Sequence, residues 1–130
     1  CEEAPTGPGQ KYGDGLARNH GWVFEVPAQA TGLVDPVPLT AMGRFNHEAA
    51  CVDPITGMVY LTEDRDDGVF YRFIPAVPGD LAKGGRLQAM VIEGLPDTRN
   101  WQSTAMARRQ FYPVRWIDLD EVEAPKDDLR

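Results

Sequence analysis

Eleven prolines and thirteen glycines interrupt the 130-residue chain, falling between short apolar runs instead of collecting in one linker, and this punctuation restricts the fold more than any other feature. A helix interior loses a hydrogen bond at each proline and about 1 kcal/mol at each glycine, so short strands joined by turns fit where long helices do not. The strand candidates are Gly21 to Val26, Glu48 to Val52, Met58 to Thr62, Val69 to Ile74, Leu87 to Ile92 and Val114 to Leu119, each rich in β-branched or aromatic residues. The stretch Trp101 to Arg109 has the small residues of a short helix or a loop and reads as a loop. Asp53-Pro54-Ile55-Thr56-Gly57 between two strands is a hairpin signal, because Pro presets φ and Gly accepts the left-handed conformation that returns the chain. Asp66-Asp67-Gly68 makes the next turn and Pro78-Gly79 to Gly84-Gly85 the one after, so four strands follow as a meander.

A four-stranded meander with apolar residues on both faces cannot bury itself alone and expects similar sheets beside it. The sequence holds a partial repeat. Val23-Phe24-Glu25-Val26 and Phe70-Tyr71-Arg72-Phe73 each follow a Gly-containing turn and precede Pro-Ala, and Phe24 and Tyr71 are 47 positions apart. A period of roughly 40–50 residues is that of a propeller blade. The expected fold is therefore all-β, a partial β-propeller of about two four-stranded antiparallel blades. In it, 1–42 is part of one blade and a connection, 43–95 a four-stranded blade, and 96–130 a connection with the start of further propeller structure. The absence of an initiator methionine before Cys1-Glu2-Glu3 and the charged run from Glu121 to Arg130 make both ends look cut, as in an internal fragment.

The formal net charge of −7 argues against nucleic acid as a partner, since phosphate neutralisation requires clustered cations. No apolar stretch approaches the roughly 20 residues of a membrane helix. The acidic residues are distributed suggestively. Cys1-Glu2-Glu3 and Thr62-Glu63-Asp64 precede the two repeated strands, and Asn46-His47-Glu48 enters the strand before the second. In an up-and-down meander these positions share one end of the sheet, which would gather carboxylates with a thiol and an imidazole, donors for calcium together with a transition metal. The same residues also suit an ordinary solvated turn, and His47 suits a hydrogen-bonded residue at a strand start. Cys51, inside an apolar strand, reads as a small buried hydrophobe, and with Cys1 it is one of only two cysteines. Trp22, Trp101 and Trp116, with Phe70, Tyr71 and Phe73, read as packing residues. Arg44 is a candidate phosphate contact through its planar fork. There is no Gly-rich phosphate loop, no Gly-x-Ser-x-Gly elbow and no Cys-x-x-Cys pair.

The run Gly43-Arg44-Phe45-Asn46-His47-Glu48-Ala49-Ala50, then Val52-Asp53-Pro54, Thr56-Gly57, Val59-Tyr60, Thr62-Glu63-Asp64, Gly68 and Phe70-Tyr71-Arg72-Phe73-Ile74-Pro75 resembles the PhoX family of bacterial phosphatases. Cys1-Glu2-Glu3 resembles that family's Thr-Cys-Glu-Glu motif without its Thr, and Gly21 to Val26 the strand that follows it. The resemblance implies a six-bladed propeller with iron and calcium at one end of its channel, hydrolysing small phosphate monoesters in the periplasm or outside the cell after twin-arginine export. It implies Cys1 as an iron ligand and Glu2, Glu48, Glu63 and Asp64 as acidic metal-site positions. It also implies that 130 residues without the other blades would be inactive alone. A calcium-only propeller hydrolase, lactonase-like or phytase-like, would share the acidic face without needing Cys1 or iron, and a non-catalytic propeller would use that face to bind a partner.

Overall fold

The computed structural model describes residues 1–99 and 106–124. Five strands form one open antiparallel sheet in sequence order: β1 (His47–Val52), β2 (Val59–Glu63), β3 (Phe70–Pro75), β4 (Gly85–Ile92) and β5 (Val114–Asp118). The only helical elements among the described residues are two single 3-10 turns, Thr40–Met42 and Leu81–Lys83. None is long and apolar enough to cross a membrane.

The expected hairpin is present. Asp53 caps it by accepting the Ile55 amide and the Thr56 hydroxyl, the Asp53 carbonyl accepts the Gly57 amide at 2.8 Å, and Gly57 takes φ 73°, where a side chain would be strained. Val52 then faces Val59, which fixes the register of β1 and β2.

Alternation along β2 and β3 sets the two faces of the sheet. Val59, Leu61, Tyr71, Phe73, Leu87 and Ala89 point to one side and are buried there with Val23, Leu39, Met42 and Phe45 of the N-terminal segment. Phe45 stacks on Tyr71 at 4.4 Å between ring centroids. On the opposite face, Tyr60, Phe70 and Trp116 cluster with centroids 6.0–6.3 Å apart, and the Arg72 guanidinium lies 4.5 Å over the Trp116 ring.

The N-terminal segment is where structure and expectation part. Gly21 to Val26 is not a strand, and its only ladder contact is an isolated bridge from Phe24 to Pro38. Pro27, Pro36 and Pro38 supply no amide donors, so a second strand has nothing to propagate along. One sheet of five strands therefore stands where about two sheets of four were expected, β5 adding to β4 through the pairs Gln88–Asp118 to Ile92–Val114. Cys51 is exposed, contrary to its expected burial, because β1 is the edge of the sheet and Cys51 pairs with Tyr60 on the side away from the core. The expected loop from Trp101 to Arg109, and Trp101 with it, falls largely outside the described residues.

Candidate functional site

Strand pairing alone brings most of the sequence-selected residues to one end of the sheet. His47 opens β1 and faces Glu63, which closes β2. The backbone of the N-terminal segment docks beside them: the Glu2 carbonyl accepts the His47 amide at 3.3 Å, and the Asn46 carbonyl accepts the Asp64 amide at 2.9 Å. The Cys1 thiol lies 4.0 Å from the Glu48 carbonyl oxygen.

Glu48 owes its orientation to an irregularity. The register runs from His47–Glu63 to Ala49–Thr62, so Glu48 is the extra residue of a β-bulge, unpaired and exposed. Bulges re-aim side chains at strand ends. This one turns the Glu48 carboxylate outward while His47 stays fully buried. The His47 ring packs 3.7 Å from Phe45, and since a carbonyl only accepts, its Nε2–H donates to Gly43 O at 3.0 Å. Its Nδ1 is a buried lone pair with no hydrogen-bond partner. Burial pushes the ring down to about 4, against the smaller upward pull of the Gly43 hydrogen bond, so the imidazole is neutral at neutral pH.

Two of the five carboxyl and thiol candidates face inward as braces. Glu2 Oε2 accepts the Gly21 and Trp22 amides at 2.7 and 3.1 Å, and Oε1 accepts His20 Nδ1–H at 2.8 Å. Burial alone would raise the Glu2 carboxyl, but these three donors outweigh it and hold the group below its ordinary range. Glu63 Oε2 accepts the Val69 amide at 2.8 Å and the Tyr71 hydroxyl at 3.4 Å, which ties the end of β2 to the start of β3. Cys1, Glu48 and Asp64 are the exposed three. A hollow of about 440 Å³ beside Cys1 is lined by Glu2, Glu3, Thr6, Tyr12 and His20.

Arg44 is buried, and its fork faces inward. Nε donates to His20 O at 2.8 Å, Nη1 to Ala124 O at 3.1 Å, and Nη2 to Thr6 O at 3.1 Å and Gln10 Oε1 at 3.4 Å. A phosphate contact would require this clamp to open. Sequence reasoning passed over His20, whose signal was modest: one of two histidines, directly before the Gly21-Trp22 pair that Glu2 also holds.

The model of the family described as alkaline phosphatase PhoX matches residues 2–129. The chain belongs to the PhoX alkaline phosphatase family. No curated protein and no solved structure matches it. A PhoX chain invites the question whether these residues fit a metal centre. Among the described residues, no three His, Cys, Asp or Glu side chains converge as a metal-binding group. The buried His47 lone pair and the exposed Cys1, Glu48 and Asp64 share one end of the sheet without closing a site, and Glu2 and Glu63 are spent on protein donors. The donors among the described residues of this PhoX chain are thus not a complete metal centre by themselves.

Proposed function

We propose that this chain is one section of a longer, exported PhoX phosphatase that hydrolyses small phosphate monoesters. In this reading the sheet is a blade of a β-propeller, residues 43–95 forming its four-stranded meander. The blade's acidic end makes one wall of the catalytic site. The observation that carries the reading is that Cys1, Glu48 and Asp64 all lie exposed at that end, in a chain matched to the family over residues 2–129. Nothing in the meander's own packing calls for an exposed carboxylate at a bulge, and bulges gather next to active sites.

Iron and calcium enter the proposal as the cofactors, with the donors missing here supplied from elsewhere in the protein. This chain's part is positional. Glu2 fixes the segment that carries Cys1, Glu63 fixes the turn that carries Asp64, and the bulge presents Glu48. Arg44 clamps the N-terminal segment through Thr6, Gln10 and His20.

The test is hydrolysis of p-nitrophenyl phosphate by the purified full-length protein, with elemental analysis of iron and calcium per chain. Cys1→Ala and Glu48→Gln are each expected to abolish turnover and lower the metal content at an unchanged far-UV circular dichroism spectrum. A folded Cys1→Ala protein with wild-type turnover and iron would refute the assignment.

A further inference from the structure

The loop that joins the Cys1-Glu2-Glu3 tip to Gly21 carries a strained aromatic residue that the core does not use. Tyr12 takes φ 64°, a left-handed conformation in which the Cβ of a bulky residue is crowded, yet the residue is 82% exposed. Burial therefore offsets little of the strain. Among the described residues the partner of its ring is the Lys11 ammonium, 4.8 Å from the ring centroid.

The conformation is imposed from both sides. The Lys11 carbonyl, just before Tyr12, accepts the Thr6 hydroxyl at 3.0 Å, and the Gly13 amide, just after it, donates to Gln10 O at 2.8 Å. Arg44 Nη2 in turn donates to Thr6 O and to Gln10 Oε1. Gly13 leaves no slack, because a Cβ there would collide with the Gly7 carbonyl oxygen. With both flanking peptides tied, Tyr12 cannot relax, and over-determined strain of this kind collects at ligand clamps and active sites.

Tyr12 lines the hollow of about 440 Å³ beside Cys1, a volume within the roughly 300–1,000 Å³ of small-molecule sites. All of the lining residues fall within residues 1–20, in the segment docked beside the acidic end, and none lies on a face of the sheet where a neighbouring blade would pack. Cys1 lines the hollow too, so it adjoins the wall assigned to catalysis.

We infer that Tyr12 is a specificity-determining residue, a platform on which the aromatic ester group of a phosphate monoester stacks while the phosphate lies against Cys1, Glu48 and Asp64. The inference rests on the phosphatase reading above and adds a substrate class and a recognition residue to it.

The lining sets which end of the ester enters. Tyr12, Leu16 and Ala4 give it apolar surface. A phosphate dianion finds no open cation there: His20 is committed to Glu2 at 2.8 Å, the Arg44 fork faces inward, and Lys11 stands outside the lining. Glu3 adds a carboxylate that repels a dianion and leaves a neutral ring unaffected. Because the loop already fixes Tyr12, stacking a ring on it costs little further ordering.

The experiment compares kcat/KM for 2-naphthyl phosphate and glycerol 2-phosphate in the full-length protein and in its Tyr12→Gly and Tyr12→Phe forms. The ratio of the two values should fall about tenfold in Tyr12→Gly and stay near wild type in Tyr12→Phe. Any effect of the loop on the Cys1 wall strikes both esters alike and cancels in the ratio. Urea unfolding supplies a second readout: glycine adopts φ 64° freely, so Tyr12→Gly should unfold at the same or a higher urea concentration than wild type. An unchanged ratio in Tyr12→Gly overturns the inference and leaves the phosphatase reading standing. So does a lower unfolding midpoint in Tyr12→Gly, which would make the ring a packing residue of the whole protein. Hydrolysis of neither ester by the wild-type protein overturns the phosphatase reading, and the inference with it.

Discussion

Replacing Arg44 by Met separates a structural clamp from a phosphate contact. The variant keeps much of the aliphatic volume but deprives the carbonyls of Thr6, His20 and Ala124 of a charged donor, together with Gln10 Oε1. A buried acceptor stripped of its partner costs about 1–3 kcal/mol; the Thr6 carbonyl keeps the His20 amide, and the His20 and Ala124 carbonyls are part-buried and open to some rehydration, which places the loss at about 2–3 kcal/mol. Against a total stability of about 5–15 kcal/mol that is a large fraction. Urea unfolding followed by tryptophan fluorescence reads it directly, because Trp22 is buried in the segment the clamp holds. Hydrogen exchange should locate the damage: the amides of His20 and Gln10, which bond within residues 6–20, should lose protection before those of β2 and β3. A Met variant within 1 kcal/mol of wild type with unchanged exchange would refute the clamp, and a raised KM for phosphate esters at wild-type stability would mean that the fork serves substrate.

Glu63→Ala should cost about 2–4 kcal/mol in the same urea assay, because the Val69 amide and Tyr71 hydroxyl lose the carboxylate that joins β2 to β3; a loss under 1 kcal/mol would show that water replaces it freely. His47 ties stability to pH. Its folded value of about 4 lies below the ordinary 6.5, so between those limits the unfolded chain binds a proton that the native ring refuses, and stability falls with falling pH by up to about 3 kcal/mol. His47→Phe removes that dependence, so the wild-type advantage over the variant should shrink by that amount between pH 7.5 and 4, and a constant difference would refute the buried neutral ring. Gly57→Ala forces a side chain to φ 73° and should cost about 1–2 kcal/mol by thermal unfolding, with no loss expected only if the hairpin turn rearranges.

The strands of the meander were legible because their information is local. Asp53-Pro54-Ile55-Thr56-Gly57 names its own turn, and the alternation through Val59, Leu61, Tyr71 and Phe73 names a buried face, so the strand limits from 47 to 92 were anticipated to within one or two residues. Gly21 to Val26 has the same local signature and no strand, since a strand also needs a neighbour able to pair, and the segment facing Phe24 ends in Pro38. Cys51 failed for a related reason: residue type says how a side chain prefers to be buried, but position at a sheet edge decides whether anything is there to bury it.

The candidate site divides in the same way. That His47, Glu48, Glu63 and Asp64 share one end of the sheet followed from counting strands, whereas Cys1 and Glu2 reach that end from a segment that forms no strand. Which of them face outward did not, because that depends on two features without a sequence signature. One is the bulge, which shifts register between His47 and Ala49 and so exposes Glu48. The other is competition for donors: Glu2 and Glu63 sit beside unpaired backbone amides at Gly21, Trp22 and Val69, and a carboxylate that meets such amides in a part-buried place gains more by accepting from them than by facing water. An acidic motif read from sequence thus mixes residues that hold a site together with residues that fill it. In this chain the two kinds alternate along each acidic tip: Glu2 inward between Cys1 and Glu3, and Glu63 inward before Asp64. At the end of β2 the pleat itself turns Glu63 inward, whereas Glu2, which lies in no strand, is drawn inward by the Gly21 and Trp22 amides and His20; in both tips the outward member is the one left available for chemistry.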